Sequence, residues 1–215
     1  MTERRVVWMR HGVCHDGEHR PYAHARPESA LTARGAAQAA STAREMLDGL
    51  LRPVTVLHSP LPRAQDTARI VSAVLGGTVR PPSSVLAEWR APSCVLGLGP
   101  AEYPPKYRSW REARLDQPDT ALPGGESIAA FASRARLAVV LADEAAASGT
   151  VVVCSHRLLI GAVVALANRH DDPAALFGSA CSFPLAHAGT WTAADGPAIR
   201  RRGLPRPAAQ RGWQG

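Results

Sequence analysis

Near the amino end, Arg10, His11 and Gly12 follow the apolar run Val6-Val7-Trp8-Met9. A neutral imidazole is a nucleophile, and a guanidinium beside it carries a fixed charge that can hold two oxygens at once. The pair suits attack on phosphorus: the ring nitrogen attacks while the guanidinium grips the phosphoryl oxygens. A second arginine, Arg63, falls in the first turn of an expected helix, where the dipole already presents positive charge and disfavours a cation. An anion bound there by the backbone N–H groups and Arg63 would resolve the conflict.

The elements that must position these groups follow from apolar spacing and breakers. Val6 to Met9 reads as a buried strand, and Val54 to Leu57, Val85 to Ala87 and Thr150 to Cys154 as further strands, the last being the clearest. Thr32 is the expected N-cap of a helix whose stripe runs through Ala36, Ala39, Ala40, Ala43, Met46, Leu47 and Leu50. Ser59, followed by Pro60, is the expected N-cap of a second helix that reaches Leu75. A third helix follows Gly124-Gly125-Glu126-Ser127, with Glu126 placed to suit the dipole, and a fourth runs from Leu158 to Ala167. One or two edge strands are expected between Cys181 and Trp191.

Strands alternating with helices imply a mostly parallel sheet between two helical layers, a three-layer α/β sandwich. Such a sheet gathers its strand ends on one rim: Arg10 and His11, the turn from Ser59 to Arg63, Glu88 after the third strand, and His156 after the valine strand.

The 215 residues suit one domain with a substantial core. Residues 1–195 form the expected catalytic domain, 89–125 an insertion within it, and 196–215 a basic Pro/Gly/Arg-rich tail. Most of the net charge of +7 belongs to that tail, because five of the 25 basic residues follow Asp195 and no acid does. The body, with 20 basic against 18 acidic residues, is nearly neutral, so nucleic acid is not an expected partner. No apolar run approaches the roughly 20 residues of a membrane span, and no signal peptide is legible, so a cytoplasmic location is expected. Cys14, Cys94, Cys154 and Cys181 have no CxxC spacing and read as free thiols.

His11, His15 and His19 would make a metal face on a helix, but Gly12, Gly17 and Pro21 argue for an irregular segment, and no metal is expected. The insertion sets Trp89, Tyr103, Tyr107 and Trp110 beside Arg90, Lys106, Arg108 and Arg111. Irregular insertions of this length are commonly lids or binding loops. Aromatic faces mixed with cations suit stacking on a ring and steering an anion.

Arg10-His11-Gly12, Leu31-Thr32-x-x-Gly35-x-x-Gln38-Ala39, Ser59-Pro60-Leu61-x-Arg63-Ala64-x-x-Thr67-Ala68, Gly124-Gly125-Glu126-Ser127 and the valine strand into Ser155-His156 stand in one order over most of residues 5–167. Together they resemble the histidine phosphatase superfamily, the phosphoglycerate mutase-like proteins. The resemblance implies that fold and a metal-independent phosphomonoesterase that needs no cofactor and acts on a small phosphorylated metabolite. By it His11 is the nucleophile that becomes phosphorylated, Arg10 and Arg63 grip the phosphoryl oxygens, and His156 donates a further hydrogen bond. Glu88 is the implied proton donor, with Glu102 and Glu112 in the neighbouring insertion as alternatives. Trp89, Arg90, Tyr103, Tyr107, Trp110 and Arg157 are the expected specificity residues. The chain departs from the mutase pattern at Val13, Cys14 and Gly17, the last standing where mutases carry a phosphate-holding asparagine, and at Arg157, where the family usually has glycine. Those losses favour hydrolysis over phosphate retention. A mutase and a non-catalytic phospho-ligand module are the alternatives, and the substrate and oligomeric state stay open.

Overall fold

The computed structural model describes residues 5–20 and 23–193. Five strands, β1 (Arg5–Arg10), β2 (Val54–His58), β3 (Thr78–Val79), β4 (Thr150–Ser155) and β5 (Thr190–Trp191), form one sheet in the order β3-β2-β4-β1-β5. All neighbours are parallel except β5, which runs antiparallel to β1 at the edge. The helices are α1 (His15–His19), α2 (Ala33–Met46), α3 (Pro62–Leu75), α4 (Pro105–Ala113), α5 (Ile128–Ala145), α6 (Arg157–Ala167) and α7 (Pro173–Ser182).

Period-two alternation along the strands divides the core in two. Val7 and Met9 of β1, Val54 and Val56 of β2, and Val152 and Cys154 of β4 meet Ala39 and Ala43 of α2 and Ala68, Val71 and Leu75 of α3. Trp8, Leu57, Val151 and Val153 point the other way, onto α5, α6 and α7. The result is the expected helix–sheet–helix sandwich. β4 lies between β1 and β2 and is buried at every position, so its run of valines shows no alternation in sequence. Among the described residues no helix is long and apolar enough to cross a membrane, and all four cysteines are free.

Several local expectations are corrected. Val85 to Ala87 is not a strand: Ser84–Leu86 is a short 3-10 turn, and the third strand is Thr78–Val79. Pro81 and Pro82 have no N–H to give a ladder, so pairing stops before them. The second helix begins at Pro62, with Leu61 rather than Ser59 as its N-cap. Leu61 precedes a proline and is held extended (φ −74, ψ 135), which keeps the helix from starting earlier. One helical turn, His15–His19, replaces the expected irregular segment. The insertion contains α4, and of the edge strands expected between Cys181 and Trp191 one forms, β5, while Cys181 and Ser182 end α7. Asp172 caps α7 by accepting from the Ala175 N–H at 2.8 Å, with Pro173 at the first helical position, a start signal present in the sequence. The tail 196–215 lies outside the described residues.

Candidate active site

Strand register brings the first groups together. Arg10 pairs with Ser155 at the ends of β1 and β4, and the ladder continues through the His11 N–H to the Ser155 carbonyl at 2.9 Å. On the other side of β4, the Ser59 N–H bonds the Cys154 carbonyl at 3.2 Å. His11, Ser59 and His156 therefore leave three adjacent parallel strands at one level. Gly12 then turns past the start of α2 at very close range. A Cβ on Gly12 would stand 2.2 Å from the Gly35 carbonyl oxygen, and one on Gly35 would stand 2.1 Å from that of Val13. Neither position admits a side chain, and Thr32 locks the contact by capping the Gly35 N–H while donating its hydroxyl to the Val13 carbonyl.

The His11 ring is buried, with Nδ1 2.7 Å from the Gly12 carbonyl. A carbonyl only accepts, so Nδ1 carries the proton and Nε2 keeps its lone pair. Burial first, then the charges of Arg63 and Arg10, hold the His11 pKa well below its ordinary value, so the ring is neutral at neutral pH. His156 lies edge-on to it, ring centroids 5.0 Å apart. Its Nε2 meets the Ser59 hydroxyl at 2.8 Å. Burial, Arg63 and His11 keep His156 neutral as well.

Both arginines are drawn into this pocket. Arg63, only 3% exposed, donates to the carbonyls of Arg26 at 3.1 Å and Pro27 at 3.5 Å. Burial lowers the pKa of Arg63, and burial together with the Arg157 charge lowers that of Arg10 to about 10. Among the described residues, four buried side-chain nitrogens have no hydrogen-bond partner: Arg10 Nε, Arg63 Nε, His156 Nδ1 and Arg114 Nε. Three of the four belong to the groups around His11. Buried donors without acceptors are costly, and a ligand rich in oxygen acceptors matches them.

Glu88 reaches the pocket from a loop. Its carboxylate accepts from the N–H groups of Leu158 and Leu159, both at 3.3 Å, in the first turn of the helix that His156 caps. The backbone beneath it is held by a pair legible only in three dimensions. Arg134 of α5 binds Glu126 through two contacts of 2.8 and 2.7 Å and donates to the carbonyls of Val85, Ala87 and Glu88. Glu126 is thus an ion-pair partner, beyond the dipole role expected of it. Glu102 is exposed, meets Arg20 at 3.3 Å and accepts from the Gly99 N–H, and Glu112 is exposed.

The aromatics of the insertion are largely buried. Trp89, Tyr103 and Tyr107 are core residues, and Trp110 packs against them. Trp89 lies parallel to Trp110 at 6.2 Å and edge-on to Phe177 of α7 at 5.4 Å. The Tyr107 hydroxyl meets His24 Nε2 at 3.3 Å. These rings fasten the insertion to the domain, and Arg90 is exposed. Arg157 donates to the Cys181 carbonyl at 3.0 Å; burial, then the charges of Arg114, Arg111 and Arg157, lowers the His24 pKa to about 4. Sequence reasoning missed Arg134, Arg114, His24 and His187. Arg114, whose guanidinium lies 4.9 Å from the Phe177 ring, and His187, whose Nε2 lies 2.9 Å from the Arg10 guanidinium, are near the site only through tertiary contacts. Among the described residues no group of three or more His, Cys, Asp or Glu side chains could hold a metal ion.

A sequence model of the histidine phosphatase superfamily (branch 1) matches residues 6–181. No protein of curated function matches the sequence. An open reading frame from Mycobacterium tuberculosis has a similar structure, with 27% identity, TM-score 0.64 and coverage of 88% of this chain and 90% of its own. A mycobacterial glucosyl-3-phosphoglycerate phosphatase in complex with inorganic phosphate is 25% identical, with TM-score 0.66 and coverage of 88% and 89%. The alpha-ribazole phosphatase from Shigella flexneri, 23% identical with TM-score 0.68 and coverage of 87% and 89%, shares the fold. The family match indicates a phosphatase or mutase enzyme.

Proposed function

Because the chain belongs to the histidine phosphatase superfamily, we propose that it hydrolyses a small phosphomonoester through a phosphohistidine formed on His11. The observation that carries this reading is the His11 tautomer: Nδ1–H is spent on the Gly12 carbonyl, which leaves a neutral Nε2 beside two guanidinium groups. Nε2 attacks phosphorus as the bond to the leaving oxygen breaks, while Arg10, Arg63 and His156 carry the charge on the equatorial oxygens. Glu88 protonates the departing alkoxide. As a carboxylate it then takes a proton from water, which attacks phosphorus and breaks the P–N bond.

No step in this cycle calls on a metal or cofactor. Hydrolysis is preferred to transfer because Val13, Cys14 and Gly17 replace groups that would help retain phosphate. Residues 1–195 are the catalytic unit in this reading, and 89–125 close its side. With the aromatic rings packed inward, Arg157 is the residue best placed to meet the part of a substrate beyond its phosphoryl group.

Rapid quenching with a 32P-labelled aryl phosphate is the direct test. Acid-labile label on the wild-type protein, absent from His11→Ala together with turnover, is the expected result. Turnover that survives in His11→Ala defeats the mechanism, and an isomerised phosphorylated product in place of free phosphate makes the protein a mutase.

A further inference from the structure

The segment between α7 and β5 wraps the end of β1 and was not expected to touch the site. The Arg10 N–H bonds the Gly189 carbonyl at 2.9 Å, and the Ala188 N–H bonds the His11 carbonyl at 3.1 Å. The Arg10 side chain donates to the Leu185 carbonyl at 2.6 Å and meets His187 Nε2 at 2.9 Å. The His187 ring also faces the nucleophile, its centroid 5.9 Å from that of His11. A guanidinium has no acceptor, so His187 Nε2 accepts and its proton is on Nδ1.

Two features show that this placement is built. Ala188 adopts a left-handed conformation, φ 55, although it is not glycine. That conformation is strained in an L-residue and persists only where the surroundings over-determine it. The strained turn puts the imidazole beside Gly17, where an added Cβ would stand 3.5 Å from His187 Nε2. Gly17 is also the position at which the sequence lacks the asparagine expected of a mutase, and the ring supplies a polar group to the space beside it.

We propose that His187 is a positioning residue of the phosphoryl site, accepting from Arg10 so that the guanidinium is fixed against the ends of β1 and β4 beside His11. Leu185 and His187 hold its two terminal nitrogens, and Nε–H, which has no partner among the described residues, is left for a phosphoryl oxygen. The neutral ring is suited to this task, since an imidazolium would repel the group it holds. Burial, then the charges of Arg10 and Arg34, push the His187 pKa down to about 4.

The inference rests on the phosphatase reading above, and its test separates the two. Inorganic phosphate is titrated calorimetrically into the wild-type protein, His187→Phe and His187→Gln, with melting temperatures recorded for each. Phenylalanine keeps the ring's bulk without the acceptor, whereas glutamine can return an oxygen near the Nε2 position. Loss of one hydrogen bond to a charged group predicts about tenfold weaker phosphate binding in His187→Phe. Affinity should be largely restored in His187→Gln, with KM for an aryl phosphate rising and falling in parallel and little change in melting temperature. Wild-type affinity in His187→Phe overturns the proposal, and so does equal loss in both variants. A wild-type protein that neither binds phosphate nor hydrolyses aryl phosphates removes the phosphatase reading itself.

Discussion

The two sides of the pocket are held by different forces. On the sheet side, Arg10, His11, Ser59 and His156 are placed by the backbone, through consecutive parallel pairings of β1 and β2 with β4. On the other side Glu88 rides on a turn outside the sheet, fixed by Arg134, Glu126 and the first N–H groups of α6. A ladder shares its load over many hydrogen bonds, so no single side chain decides the register. A side-chain clamp concentrates the load. Arg134 and Glu126 are 17% and 10% exposed, and removing one partner leaves a largely buried charge uncompensated. The strand register of the proposed phosphoryl-binding side should therefore tolerate single substitutions around it, the His187 contact to Arg10 excepted, while the proposed acid-bearing side should fail when one distant arginine is lost.

The sharpest test of that division is chemical. Glu88→Gln should slow alkyl phosphates by about 10²-fold or more and leave activated aryl phosphates much less affected, since a good leaving group needs no proton. Steady-state kinetics on the two ester classes read the difference. Equal losses on both would move the acid elsewhere and dissolve the distinction between the two sides.

A smaller effect on rate, with a clear one on stability, is expected of Arg134→Met. Breaking the pair should destabilise the fold by about 3 kcal/mol, measured by denaturant unfolding. Because Val85, Ala87 and Glu88 lose their donor, turnover of alkyl phosphates should fall with little change in inorganic phosphate affinity. Parallel loss of phosphate binding would show that the clamp supports both sides alike.

The mildest effect is a dependence of stability on pH. Burial and neighbouring cations depress the pKa of His11, His156 and His187 on the sheet side and of His24 under the insertion. In the unfolded chain these rings titrate near 6.5, so below that pH the unfolded state takes up protons that the native state refuses. Stability is therefore full above pH 6.5 and declines as the pH falls toward 4. Denaturant midpoints at pH 7 and pH 5 measure it, and a midpoint that rises in acid would contradict the neutral, buried state of these rings.

The sequence by itself determined the sheet side. Apolar runs ending in Arg10-His11 and Ser155-His156 state both the strand and the group at its tip, and parallel polarity does the rest. Thr32 was legible for the same reason, because capping acts within a few residues of the contact it serves. The segment from Val85 to Ala87 was misread because an apolar triplet says nothing about whether a neighbouring strand has an open edge, and the prolines before it closed that option. The burial of the insertion's aromatics was not legible, since composition cannot distinguish rings that face a ligand from rings that face a core.

Tertiary structure alone decided that Arg134 serves Glu88 and that His187 meets Arg10. The first pair is separated by 46 residues and the second by 177. Neither contact follows a helical or strand period, so only packing of distant elements could bring the partners together.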